Sequence, residues 1–211
     1  MSVQWTPLAE LVPDEPVTND IYLAVGLPVG HLTISEAASK HMYVRFQPGR
    51  FIGLDQQEYA MWVAAAVPTA EEQLRHIGTA ADSKKSASDT LRRLIEIGLL
   101  VKSPTLTEIT QGDVELGEYA GLMACVPHVF GLGRGEQDGN SCAIRVGQTE
   151  QDLQPMAYHI WVHIDGVHCI GDVLDALAAN TDQEAAEVAP AVLYFLFEQI
   201  KNGMGYLDNH S

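Results

Sequence analysis

One stretch of this chain occurs twice. Glu58-Tyr59-Ala60-Met61-Trp62-Val63 reappears as Ala157-Tyr158-His159-Ile160-Trp161-Val162, 99 residues later. The likeness extends in both directions. Leu74 and Ile77 match Leu174 and Leu177, and Leu91-x-x-Leu94-Ile95-Glu96 matches Leu193-x-x-Leu196-Phe197-Glu198. Upstream, Val44-Arg45-Phe46 matches Ile144-Arg145-Val146, and Ala24-Val25-Gly26-Leu27-Pro28 matches Met123-Ala124-Cys125-Val126-Pro127. A single Tyr-x-x-Trp-Val match arises easily by chance, whereas several stretches in the same order do not. Self-similarity at a fixed period implies one structural unit used again. The reading is a tandem duplication of a domain of about 90 residues.

Local patterns give each unit its elements. Apolar residues at 21–27 suit a buried strand. Met42-Tyr43-Val44-Arg45-Phe46 alternates as a strand, Gln47-Pro48-Gly49-Arg50 turns, and Phe51-Ile52-Gly53-Leu54 returns as a hairpin partner. Residues 31–40 are ambiguous, with a possible helical turn at Ser35-Glu36-Ala37-Ala38. Asp55 followed by Glu58 reads as a capping box opening a helix that Pro68 stops. Thr69 with Glu72 reads as a second box, for a short helix ending at Gly78. Ser86 or Ser88 caps a third helix with Ala87, Leu91, Leu94 and Ile95 on one face, and Gly98 ends it before a closing strand at Leu99-Leu100-Val101.

The second unit follows the same plan. Residues 131–140 form a Gly-rich loop, and 141–146 a strand. Pro155 sits at the first position of a helix, and Asp165-Gly166 turns the chain. Thr181 to Glu184 caps a short extra helix, and Pro190 opens a long apolar helix ending at Gly203. Strands, two short helices, a third helix and a closing strand are the layout of a winged helix. The expected class is therefore α+β, with two tandem winged-helix-like domains. An N-terminal arm covers residues 1–20, repeat 1 covers 21–103, a linker 104–118, and repeat 2 covers 119–211.

Charge narrows the function. The chain carries 12 Lys and Arg against 28 Asp and Glu, a net charge of −16. Residues 1–105 hold 9 basic and 12 acidic residues, and residues 106–211 hold 3 and 16. Nucleic-acid binding rests on cations that neutralise phosphates, so the second half is a poor candidate for it, and for an anionic membrane. No apolar run is long enough to span a bilayer, and residues 1–10 lack the features of a signal peptide. Cys125, Cys142 and Cys169 have no Cys-x-x-Cys spacing and read as buried, reduced thiols of a cytoplasmic protein.

No motif carries catalytic chemistry: a nucleophile elbow, a metalloprotease helix and a paired-carboxylate motif are all lacking. His159 and His163, four apart on a helix, have the spacing of a zinc pair, yet Ala60 and Ala64 stand at the matched positions and no carboxylate completes a set. Gly131-Leu132-Gly133-Arg134-Gly135 lacks the Lys of a phosphate loop and precedes a strand, so a hairpin loop is expected. No enzyme activity, metal or cofactor is expected. Lys84, Lys85, Arg92 and Arg93 are the one basic cluster, with Arg92 and Arg93 projecting from the third helix. The matched positions in the second unit are Tyr194 and Phe195.

Leu54-Asp55 entering a helix with Trp62, Thr69-x-x-Glu72-x-Leu74, and Leu91-x-x-Leu94-x-x-x-Gly98-Leu99-Leu100 together resemble the PqqD-like family of peptide-binding winged helices, the RiPP recognition elements. The second unit resembles it through Trp161, Ile164-Asp165-Gly166, Ile170-x-x-Val173-Leu174 and the helix that starts near Leu193. The resemblance covers about 60 residues of each unit. It implies a protein that binds a precursor (leader) peptide and presents it to a modifying enzyme. The peptide would add as a strand to a sheet edge, a mode in which backbone hydrogen bonds supply affinity and side-chain pockets specificity. Carried over, the groove is edged by Phe51, Ile52 and Leu54 and floored by the helix of Arg92 and Arg93, with Lys84 and Lys85 beside it. Such a site favours an acidic, apolar peptide. The alternatives are a transcription regulator that reads DNA with the same helix, and an acidic inhibitor or immunity-type protein.

Overall fold

The computed structural model describes residues 19–30, 42–47, 50–81, 85–137, 141–146 and 149–209. The arm expected at 1–20 lies outside them up to residue 18, as do the ambiguous stretch 31–40 and Lys84. The protein is α+β. Its first half runs β1 (Ile21–Ala24), β2 (Leu27–Gly30), β3 (Met42–Gln47), β4 (Arg50–Leu54), α1 (Gln56–Ala64), β5 (Thr69–Ala70), α2 (Glu71–Ala80), α3 (Ala87–Glu96) and β6 (Leu100–Ser103). After α4 (Leu106–Gln111), a 3-10 turn at Leu116–Tyr119 and α5 (Ala120–Met123), nearly the same order returns. It comprises β7 (Cys125–Val129), β8 (Leu132–Gln137), β9 (Ser141–Val146), β10 (Thr149–Leu153), α6 (Pro155–His163), α7 (Ile170–Thr181), α8 (Ala185–Lys201) and β11 (Gly205–Asn209).

Each half holds an antiparallel meander, β2-β3-β4 or β8-β9-β10, and a separate strand pairing that joins its first strand to its last, β1 with β6 and β7 with β11. The ladders fix which residues correspond. Arg45 stands opposite Leu27 and Phe51, and Arg145 opposite Leu132 and Glu150. The match of Val44-Arg45-Phe46 to Ile144-Arg145-Val146 is thus the structural one. The upstream match is not. Leu27 corresponds to Leu132 rather than Val126, because the chain turns from β1 into β2 at Gly26 and from β7 into β8 at Gly131. Both glycines have positive φ (107° and 150°).

The third helices also shift. Leu99 N–H donates to the Leu94 carbonyl at 2.9 Å, and Met204 N–H to that of Gln199 at 2.8 Å. These bonds close the helices over Gly98 (φ 74°) and Gly203 (φ 69°), left-handed positions that glycine occupies without strain. By this cap Leu94 corresponds to Gln199, not Leu196, and Arg92 and Arg93 correspond to Phe197 and Glu198, not Tyr194 and Phe195. A slip of three residues keeps the same helix face, so the apolar pattern tolerates either register.

Capping explains the helix starts. Asp55 Oδ1 accepts from Glu58 N–H and Glu58 Oε2 from Asp55 N–H, both at 2.9 Å, completing the box that opens α1. Ser86 caps α3, and Pro155 takes the first turn of α6. Three expectations are corrected. Thr69 does not cap α2: its hydroxyl donates to the Ala64 and Val67 carbonyls, closing the preceding turn, and α2 runs on past Gly78 to Ala80. The extra helix and the helix at Pro190 are one, α8, capped by Glu184 and Glu187, with Pro190 inside it. The Gly-rich loop is largely β8, paired to β9.

The stretch expected as a linker, 104–118, is folded. Thr105 and Glu108 cap α4. Ile109 and Val114 are buried in the second core, and Tyr119 Oη donates to Glu108 Oε1 at 3.1 Å. The cores are not confined to the halves either. Strand periodicity sends alternate side chains of β1 to opposite sides: Tyr22 and Ala24 join the first core, and the next residues along, Leu23 and Val25, join the second. Gly26 N–H donates to the Leu207 carbonyl of β11 at 2.7 Å, stitching the halves together. No helix among the described residues is long and apolar enough to cross a membrane.

Candidate functional site

The β2-β3-β4 meander ends on β4, which pairs only with β3 among the described residues, so its other edge presents backbone N–H and C=O groups. Phe51 projects from it, 47% exposed, and Ile52 is half-buried. Leu54 is fully buried in the first core, so it can edge a groove only through its backbone. The corresponding strand β10 reads Thr149-Glu150-Gln151-Asp152-Leu153, with Glu150 and Asp152 exposed. Charged side chains blunt an edge; apolar Phe51 and Ile52 do not.

Behind β4, α1 begins at the Asp55 cap, and α3 reaches across to it. Glu58, almost wholly buried, takes Arg93 Nη1 at 2.6 Å and Lys85 Nζ at 3.1 Å on the same oxygen, Oε1, while Oε2 serves the cap. Lys85 Nζ also lies 2.6 Å from Asp55 Oδ2. Arg92 pairs with Asp89 one turn back on α3. Desolvation acts most strongly on the Asp55 carboxyl and raises its pKa. The Glu58 N–H and the Lys85 ammonium together outweigh it and hold that pKa below the usual carboxylate value. The Asp55 carboxylate in turn raises the Lys85 ammonium. Next to this joint, Gln57 Nε2 donates to the carbonyls of Gly78 (2.9 Å) and Lys85 (3.3 Å), and its Oε1 accepts from Thr90 Oγ1 at 2.9 Å.

Of the basic cluster, Arg92 and Arg93 stand on the outer side of α3 and Lys85 in the loop before it, next to the Asp55 cap that follows β4, and their charge is answered locally. Lys85, Arg92 and Arg93 face Asp55, Glu58 and Asp89. A strong bias toward acidic ligands does not follow from this arrangement. In the sequence Glu58 reads as a cap alone. Its counterpart carries the signal of a further role: the half without the basic cluster has Ala157 in its place.

The histidine pair is engaged within its own half. His163 Nδ1 lies 2.8 Å from the His159 carbonyl and Nε2 lies 2.9 Å from Asn180 Nδ2. Among the described residues no group of three His, Cys, Asp or Glu side chains is placed to hold a metal ion. All three cysteines are free thiols. Cys125 is buried, and burial raises its thiol to about 12; Cys142 and Cys169 are half-buried, and Cys169 stands at the start of α7. Comparison of the chain with protein-family models, with curated proteins and with solved structures finds no significant match.

Proposed function

We propose that this chain is a cytoplasmic, non-catalytic accessory protein of two winged-helix-like units that holds a precursor peptide and presents it to a modifying enzyme. The observation that carries the reading is β4: a strand with one side unpaired among the described residues, apolar Phe51 and Ile52 on it, and α1 packed behind it. An extended peptide that adds to β4 satisfies that strand's backbone groups and covers Phe51. The asymmetry of the halves supports a single such site, because β10 carries Glu150 and Gln151 where β4 carries Phe51 and Ile52. The ion pairs of Arg92 and Arg93 weigh against DNA reading, since a recognition helix needs its cations for phosphates and base edges.

The test is capture on the tagged full chain from native cytoplasm, with peptides, proteins and DNA analysed together, beside the Phe51→Asp variant. A small precursor peptide and its modifying enzyme should be recovered, with the peptide held about tenfold more weakly by the variant. Specific DNA in place of a peptide, or a peptide retained equally by Phe51→Asp, rejects the β4 site.

A further inference from the structure

The corner where the first two helices of each half meet the third has opposite character in the two halves. In the first half, among the described residues, Gln57 fills it. Gln57 is 2% exposed and ties α1 to α2, to α3 and to the loop before α3 through the three hydrogen bonds given above. In the second half Met156 stands at the matched position, Ile160 replaces Met61, and the corner is open. A cavity of about 140 Å3 lies between α6, α7 and α8. Ile160, Leu177, Val188 and Val192 form its buried walls. Met156, 49% exposed, and Ala191 form its lip. Tyr194, exposed one turn beyond Ala191, continues the same face of α8.

Size and charge define an occupant. An apolar cavity of about 150 Å3 accommodates a molecule the size of benzene, hence one branched aliphatic or aromatic side chain. Methionine at a lip adapts its shape to what enters. Glu187 lines the cavity, its carboxylate accepting from the Glu184 N–H at the start of α8, Asp182 and Glu184 lie in the adjoining turn, and residues 106–211 carry 16 acidic against 3 basic residues. Cationic flanks are favoured by that field and anionic ones are repelled. We infer that the α6-α7-α8 corner is a second docking site, taking one large apolar side chain of a basic peptide segment from a partner protein. It lies on the other half from β4, has its own charge preference, and does not depend on the β4 reading.

The experiment is a methyl NMR titration of the full chain with the probe peptide acetyl-Lys-Lys-Phe-Lys-Lys-amide. Two analogues accompany it, one with Ala for Phe and one with Glu for every Lys. Saturable shifts are expected at the methyls of Ile160, Leu177, Val188 and Val192, with Ile52 on β4 unmoved. Affinity should fall about tenfold or more without the Phe ring, and about fivefold with acidic flanks. Ala191→Phe, which fills the cavity from an exposed position, should abolish the shifts while the melting temperature is kept. Met156→Gln, which restores the first half's residue, should weaken them. Equal binding of the Phe and Ala peptides, or of the Lys and Glu peptides, overturns the proposal. So do shifts centred on Ile52, no saturation at millimolar peptide, or unchanged affinity in Met156→Gln.

Discussion

Trp62 and Trp161 show how one residue type can hold an element in place. Each lies beside the tyrosine one turn before it, with ring centroids 5.9 Å apart for Tyr59–Trp62 and 5.6 Å for Tyr158–Trp161. The Trp62 indole adds a polar anchor: Nε1 donates to the Val25 carbonyl at 2.9 Å, just before the chain turns from β1 into β2. A buried carbonyl that loses its donor bears the cost of its desolvation. Trp62→Phe keeps much of the apolar volume and removes the donor, so it should destabilise the protein by about 1–3 kcal/mol. Urea unfolding followed by far-UV circular dichroism measures this. A change below about 0.5 kcal/mol, the lower end for a net hydrogen bond, means that the indole N–H contributes no stability.

At the scale of elements, α3 is fastened to the start of α1 by polar contacts as well as by packing. Gln57, Glu58 and Asp55 all belong to one turn, and between them they hold Gly78, Lys85, Thr90 and Arg93. The Asp55–Lys85 pair makes this joint sensitive to pH at both extremes. A carboxyl whose folded pKa is depressed adds stability above its unfolded value, and that stability is lost as pH falls through the folded value. An ammonium whose folded pKa is raised adds stability below its unfolded value, and loses it as pH rises through the folded one. The advantage of the wild type over Lys85→Met should therefore be flat between about pH 5 and 9 and shrink outside that window. Both groups are partly exposed and screened by solvent, so the plateau should be only about 0.5 kcal/mol. Thermal melts across pH check it. A difference independent of pH would mean that the lysine acts through its aliphatic chain rather than its charge.

The whole molecule turns on β1. Its alternation sends Leu23 and Val25 into the core of the other half, and its neighbour Gly26 bonds to β11, so the two halves are expected to unfold together. Calorimetry should give one transition for the full chain. Leu23→Ala should lower it by about 2–5 kcal/mol, the cost of a cavity at a fully buried leucine. Two resolved transitions, with only one moved by Leu23→Ala, would show the halves to be independent. Much of this architecture was legible in the residues: the recurrence of Tyr-x-x-Trp-Val, the Asp55–Glu58 cap, Pro155 at a helix start, and the pairing of β3 with β4. These are local signals, set by backbone geometry and by which side chains can reach neighbouring N–H groups. They also placed Phe51 and Ile52 on a strand and Arg92 and Arg93 on the outside of a helix. Tertiary structure decided the rest. Residues 104–118 look like a linker because their few apolar side chains, among them Ile109 and Val114, are too sparse to show a periodicity, and only the second core reveals what they bury. The third-helix register was degenerate because a three-residue slip preserves an apolar face, and only the caps at Gly98 and Gly203 resolve it. Charge was misleading for the same reason of distance. Lys85 and Arg93 read as a basic surface until the fold brings them to Glu58, 27 and 35 residues away in the chain, because ion pairs depend on separation in space and not along the sequence.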